Sequence, residues 1–370
     1  MKLNLNRKTL LNELSCISRV VSKKNTLPII ENVKFEIRTN GTIVLSATSL
    51  EVSTMRKFKI EEQIQEAYQF CINPFDLTNV LKSLRDDEVS FELKEDICVI
   101  EHKKGEVVLP TFDAEDFPKM EEDTYTQKIT IEASLLGEWL RNAGKFASTD
   151  DLRPIICGVN IYVVGEEMGV ASSDGFKLFT DNINTQNGNT TSVDGTLNTK
   201  AVIPLLDMIN EEEKVTVLFG ERMLSFHTPN ARLSSIKPSG KYPAFKTLIK
   251  KKDNPTYISI DKNELLDSVS RAALSARTDT SCLLLSIGSD TMTVTSEDLT
   301  FNKKTKEECV CEVNGKGIDI GVKSSALMEC LSVIEDGKVK IEMDEPNKAI
   351  FFYDEVCPNK IILLMPLRIN

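Results

Sequence analysis

Three stretches of this chain open in the same way: MKLNLNRKTLLNELSCISRV from Met1, QKITIEASLLGEWLRNAGKF from Gln127 and TYISIDKNELLDSVSRAALS from Thr256. Each starts with a short alternating strand, as at Ile129 and Ile131 or Ile258 and Ile260, and runs into a helix marked by a Leu-Leu pair. The pairs are Leu10-Leu11, Leu135-Leu136 and Leu265-Leu266, about 125 residues apart, a spacing that makes the repeat unit a whole domain.

A second pattern recurs in register: CINPFDLTNVLKSLRDDEVSFEL, LNTKAVIPLLDMINEEEKVTVLF and IGVKSSALMECLSVIEDGKVKIEM. Each reads as an amphipathic helix, an acidic turn and a strand, and Val89, Val215 and Val339 occupy matching places. Between these two patterns lies a strand, a polar turn and another strand, seen in TIVLSATSLEVSTMRKF, MGVASSDGFKLFTDNI and MTVTSEDLTFNKKTKE. The chain is therefore expected to fold as three α+β units, residues 1–125, 127–253 and 255–370, each with two helices and many short strands. The charged joints KMEEDTYTQK and IKKKDNPT fit linkers.

The helices carry single apolar stripes, such as Leu10, Leu14, Ile17 and Val21, or Leu77, Val80, Leu81 and Leu84. Leu135, Leu136, Trp139, Ala143 and Phe146 form a third stripe, with Trp139 expected in the core. Pro204 is expected in the first turn of its helix, where a missing N–H is harmless. The opposite faces hold Arg7, Lys8 and Arg19; Lys82 and Arg85; Arg141 and Lys145; Lys262 and Arg271; and Lys323, with Lys23, Lys24 and Lys200 beside them. If the three units set their helices on one side, these cations collect there. Acidic runs such as Asp86-Asp87-Glu88 and Glu211-Glu212-Glu213 are expected in loops. The net charge of −11 excludes a surface that is basic all over, but not a local basic face for a polyanion.

Chemistry is otherwise sparse. No phosphate-binding glycine loop, G-x-S-x-G elbow or H-E-x-x-H is present, and His102 and His227 are expected on strands. Asp150-Asp151 and Glu115-Asp116 read as loop acids, so no catalytic residue, metal ligand or cofactor is assigned. The nine cysteines are scattered, with only Cys309 and Cys311 close, which fits reduced thiols. No apolar run approaches a membrane span, and the N-terminus does not read as a signal peptide, so a cytoplasmic protein is expected.

The segments LPIIENVKF, EDFP at 115–118, ASTDDLRPIICGV at 147–159, SSDGFKLF at 172–179, KYPAF at 241–245 and the tail MPLR, in this order, resemble the bacterial DNA polymerase III beta subunit, the sliding-clamp family. The resemblance covers the whole length. It implies three repeated clamp-type domains, with two inner helices each and outer antiparallel sheets, joined head to tail into a dimeric ring. Such a ring encircles duplex DNA without reading sequence and tethers the replicative polymerase, the clamp loader, repair polymerases and other motif-bearing proteins. It is a processivity factor and not an enzyme. The implied DNA contacts are Lys23, Lys24, Arg141, Lys145, Arg153 and Lys200. The implied homodimer joint brings Val107 and Leu109 of one subunit against Leu274 and Ser275 of the other.

The implied peptide pocket has one wall of Ile156, Ser173, Gly175, Phe176, Lys177 and Leu178, and a second of Pro243, Thr247 and Leu248. Asn347, Ala349, Leu363, Met365, Pro366, Leu367 and Arg368 complete it. Pro366 is expected to stop the last strand near Met365 and leave Met365 and Leu367 unpaired in the groove. The family pattern is broken at Phe176-Lys177, at Pro154-Ile155, at Thr247 and by Asn370, which leaves motif preference and the choice between a main and an accessory, plasmid or phage clamp open. A repeat-built scaffold and a hydrolase using loop carboxylates are the alternatives from other classes.

Overall fold

A computed structural model describes residues 1–22, 27–62, 64–185, 192–249 and 256–368. Lys23, Lys24, Asn370 and the boundary expected at 253–255 lie outside the described residues. Six α-helices are found among those described: α1 Arg7–Ile17, α2 Pro74–Ser83, α3 Ala133–Gly144, α4 Thr199–Ile209, α5 Lys262–Ala273 and α6 Ser324–Leu331. None is long and apolar enough to cross a membrane.

The repeat has a physical basis in strand pairing. Leu5 lies opposite Val89, Ile131 opposite Val215, and Ile260 opposite Val339, so the matched valines meet the matched opening strands three times. All six side chains are buried. Asparagine or aspartate then starts most of the helices. Asn6 accepts the N–H of Thr9, Asn73 those of Phe75 and Asp76, Asn198 that of Lys200, and Asp261 that of Glu264. Each satisfies a donor that the first turn would leave open.

The chain divides into two compact units, Met1–Glu138 with Leu197–Pro238, and Trp139–Thr196 with Ser239–Asn370. The division follows the sheets. In the first unit an eight-stranded sheet joins Val52–Lys59 to Ala231–Ile236, and a four-stranded sheet runs Lys2–Asn6, Glu88–Lys94, Ile97–His102, Gly105–Pro110. In the second unit a nine-stranded sheet joins Lys177–Asn184 to Ile361–Leu364. Its four-stranded sheet runs Lys303–Val310, Thr291–Asp298, Cys282–Ile287, Asp319–Lys323. The middle repeat therefore shares one sheet with the first repeat and another with the third.

Trp139 is fully buried and its Nε1–H donates to Asp181 at 3.0 Å. Pro204 corrects an expectation. Asn198 caps α4, so Pro204 sits in the helix interior, where it has no N–H to give to the carbonyl one turn back. Both histidines end strands, His102 in Ile97–His102 and His227 in Met223–His227.

The turn that delivers the last strand is built around a buried acid. Asp354 accepts N–H bonds from Glu335 at 3.0 Å, Val356 at 2.9 Å and Cys357 at 3.2 Å, and Lys360 Nζ lies 3.6 Å away. Burial pushes its carboxyl up, but the three N–H bonds and the ammonium outweigh that, and the net shift is downward. A carboxylate with a lowered folded pKa stabilises the fold at neutral pH, and that contribution is lost as pH falls through the folded value. Asp354→Asn is expected to cost about 2 kcal/mol at pH 7. Its loss of stability on acidification should be shallower than the parent's. Urea titrations at neutral and acid pH check both.

Candidate peptide groove and basic helix faces

A mainly apolar groove of about 830 Å³ lies in the second unit. Ile156, Leu178, Phe351 and Leu363 line it and belong to a buried cluster with Tyr162, Ala171, Tyr242 and Phe245. Tyr162 and Phe245 lie 5.5 Å apart between ring centres, and Phe245 and Tyr242 6.3 Å.

One rim is a tight turn written by SSDGFK. Asp174 Oδ1 accepts the N–H groups of Phe176 and Lys177, both at 2.8 Å, and Ser173 Oγ accepts that of Gly175 at 3.1 Å. Gly175 has φ +95°, a conformation that L side chains rarely adopt. The turn leaves Phe176 68% exposed at the groove edge. Lys177 behaves differently. It is only 7% exposed. Its ammonium pairs with Glu329 of α6, donates to the Lys145 carbonyl at 2.6 Å and lies 5.1 Å from the Phe146 ring centre. Its outer part borders the groove while its charge is spent behind it.

The groove is bordered by Ile156, Ser173, Gly175, Phe176, Lys177, Leu178, Pro243, Thr247, Leu248, Asn347, Ala349, Leu363 and Met365, as expected from the sequence. Pro366, Leu367 and Arg368 do not border it. The last strand ends at Leu364, and the tail pairs rather than hanging free. Met365 donates its N–H to Phe176 O at 2.7 Å, and Leu367 donates to Gly321 O at 2.8 Å, forming an isolated bridge. These partners correct the expectation that Met365 and Leu367 stay unpaired: both pair through their backbones, and only Met365 borders the groove. Leu152, Arg153, Pro154, Ile155, Ser239, Asp344, Lys348 and Phe351 also border it and were missed. The apolar Leu152 and Pro154-Ile155 beside the SSDGFK turn were the available signal. Arg153, expected at DNA, stands on this rim, and its bond to Asp150 Oδ2 at 2.9 Å holds that carboxyl below the usual range.

The basic helix faces are more neutralised than expected. Arg7 spends its guanidinium on the carbonyls of Asp86 and Leu81. Lys8 pairs with Asp87, Arg19 with Asp207, Lys200 with Glu51, Lys262 with Asp336 and Arg271 with Glu307. Among the described residues, Lys82, Arg85, Arg141 and Lys323 have no ion-pair partner and are exposed, and Lys145 reaches only Ser332 Oγ at 3.1 Å. The Lys200–Glu51 pair, at 3.0 Å with both side chains largely exposed, is of the kind worth less than about 1 kcal/mol and opens readily.

Two sheet edges are exposed. Val107 and Leu109 are half-buried on the edge strand Gly105–Pro110. Leu274 ends α5 with 78% of its surface exposed, and Thr305 Oγ1 donates to Ser275 at 2.7 Å beside the edge strand Lys303–Val310. Among the described residues no group of three or more His, Cys, Asp or Glu is placed to hold a metal ion.

Sequence models of the DNA polymerase III beta subunit match in order along the chain: its N-terminal domain at residues 1–121, its central domain at 130–244 and its C-terminal domain at 247–368. The beta sliding clamp of Pseudomonas aeruginosa is 21% identical over 371 residues, and that of Synechocystis 23% over 394, each with both chains fully covered. The crystal structure of the DNA polymerase III subunit beta from Pseudomonas aeruginosa superposes with a TM-score of 0.94 over the whole of both chains, at 21% identity, which shows the same fold. With its repeat, its sheets and three successive domain matches in agreement, the chain belongs to the DNA polymerase III beta subunit family of sliding clamps.

Proposed function

We propose that this chain works as a DNA sliding clamp: two copies close head to tail around duplex DNA and tether polymerases through the groove. The observation that carries this reading is the ordered match of three clamp domains along one chain. Processivity then follows from topology, with no catalytic step of its own, in the cytoplasm where replication takes place. The partners are duplex DNA, the replicative polymerase, the clamp loader, and repair polymerases or other proteins bearing a short apolar motif. The groove supports this, because it offers a wide apolar surface and few free polar groups to an extended peptide. The test is topological. Protein loaded onto nicked circular duplex should stay bound through gel filtration and be released when the circle is cut. Equal retention on circles and linear fragments would overturn encirclement.

DNA inside such a ring is held through phosphates, which carry no sequence information. Arg141, Lys145 and Lys200 are exposed and either unpaired or weakly held, so they are free to reach phosphates; Lys23, Lys24 and Arg153 remain on the same proposal. Replacing Arg141, Lys145 and Lys200 together by alanine should flatten the plot of log affinity against log salt by about 0.9 for each phosphate no longer neutralised. Fluorescence anisotropy on a duplex at several salt concentrations reads the slope. The same slope in parent and variant would remove these residues from the DNA face.

A further inference from the structure

The rim of the groove carries a charge that faces away from it. Lys177 is only 7% exposed, and an ammonium so buried is tolerated only where other groups replace its water. Glu329 of α6 pairs with it, the Lys145 carbonyl accepts from it at 2.6 Å, the Phe146 ring centre lies 5.1 Å away and Asp174 Oδ2 3.9 Å. Ser332 Oγ, which donates to the Glu329 carbonyl at 2.8 Å, accepts in turn from Lys145 Nζ at 3.1 Å. The back of the rim is thus tied to α6 and to the residues that follow α3. Glu329 itself does not border the groove.

Asp174 has a second duty among these groups. Its Oδ1 accepts the N–H groups of Phe176 and Lys177 that shape the turn, and Ser173 Oγ donates to the Lys177 carbonyl at 2.7 Å. The turn also sets Met365, whose N–H donates to the Phe176 carbonyl at 2.7 Å. Phe176 and Met365 both border the groove. Glu329 and Asp174 therefore compete for one ammonium. While Glu329 holds it, the Asp174 carboxylate is left to the turn. Without Glu329, Asp174 is the one carboxylate among the described residues that the ammonium can reach. A hydrogen bond between two charged groups is stronger than one to a neutral N–H, so the turn would yield and shift Phe176 and Met365 with it.

We infer that Glu329 is a positioning residue for peptide binding: it draws the Lys177 ammonium behind the rim and so keeps Asp174 building the turn that aligns Phe176 with Met365. It touches no ligand. Its effect is on how well the rim is formed before a peptide arrives, which decides how much ordering the peptide must impose. The inference rests on the peptide groove proposed above and adds to it a carboxylate from a separate helix.

The test is a double-mutant cycle on Glu329 and Lys177. It is read by fluorescence anisotropy of a labelled peptide spanning the clamp-binding motif of the host cell's replicative polymerase. Glu329→Gln should weaken the peptide about tenfold, and Glu329→Asp, which keeps the charge, should recover most of that loss. In a Lys177→Met background no ammonium remains to compete for Asp174, and an unbranched stem still covers the rim. There, Glu329→Gln should change affinity by less than about twofold. The thermal midpoint of each variant is measured alongside. Equal affinity in Glu329→Gln and the parent would overturn the positioning role and leave the groove standing. So would a tenfold loss that persists in the Lys177→Met background, or one that follows a fall in the midpoint and is not recovered by Glu329→Asp. A parent that binds no such peptide would overturn the groove reading and the inference together.

Discussion

Leu274→Asp is expected to turn the protein into a monomer, sedimenting at the 41.4 kDa of one chain at concentrations where the parent is a dimer. Leu274 closes α5 and is 78% exposed in the single chain. A large apolar side chain held at a helix end with almost no intrachain packing is free to be covered by a partner. On the proposed joint it meets Val107 and Leu109 of the other copy, which are themselves half-buried on an open edge. The substitution removes that apolar burial and puts a carboxylate into the joint without a cation. The expected penalty is about 3–5 kcal/mol of dimer stability, or a dissociation constant raised roughly a hundredfold to several thousandfold. The folded monomer should be little affected, because the residue touches little of its own chain; the new charge near a helix C-terminus costs at most about 1 kcal/mol. A dimer unchanged in the variant would remove Leu274 from the joint.

The parts of this molecule legible in the sequence are those fixed by local pattern. The opening strands and the matched valines could be aligned because each repeat spends the same few positions on one cross-strand pair, as Ile131 does on Val215. The groove turn was readable because Ser173, Asp174 and Gly175 each have a nearby backbone duty. What was not legible depends on partners far away in sequence. Nothing local says that Lys177 will bury its ammonium against Glu329, or that Leu367 will find Gly321. The same holds for Arg7, whose guanidinium closes on the carbonyls of Asp86 and Leu81 instead of facing outward. Charge counted along a helix therefore overstated the free positive charge, since Asp207, Glu51 and Asp336 come from other elements to meet it.

The groove gives the other large expected effect. Phe176, Leu248 and Met365 border it from three separate segments, and all three are exposed large apolar residues of the single chain. Their exposure means that the fold does not depend on burying them, so a peptide is the partner with most to gain. Replacing all three by alanine should weaken a polymerase-derived motif peptide by about 3–5 kcal/mol, as expected when several anchoring side chains go together. The thermal midpoint should move little, because the buried cluster of Tyr162, Phe245, Leu178 and Leu363 stays intact. Side-chain replacement is a sharper test here than cutting the tail. Removing residues 365–370 would also delete the N–H bonds of Met365 to Phe176 and of Leu367 to Gly321, and so loosen the rim and the sheet edge at once. Titration calorimetry of the peptide against parent and triple variant reads the effect directly. Equal affinity in the two would place peptide binding outside this groove. A weakened peptide with an unchanged midpoint and an unchanged association state would separate the recognition surface from the parts of the chain that hold the fold and the proposed joint.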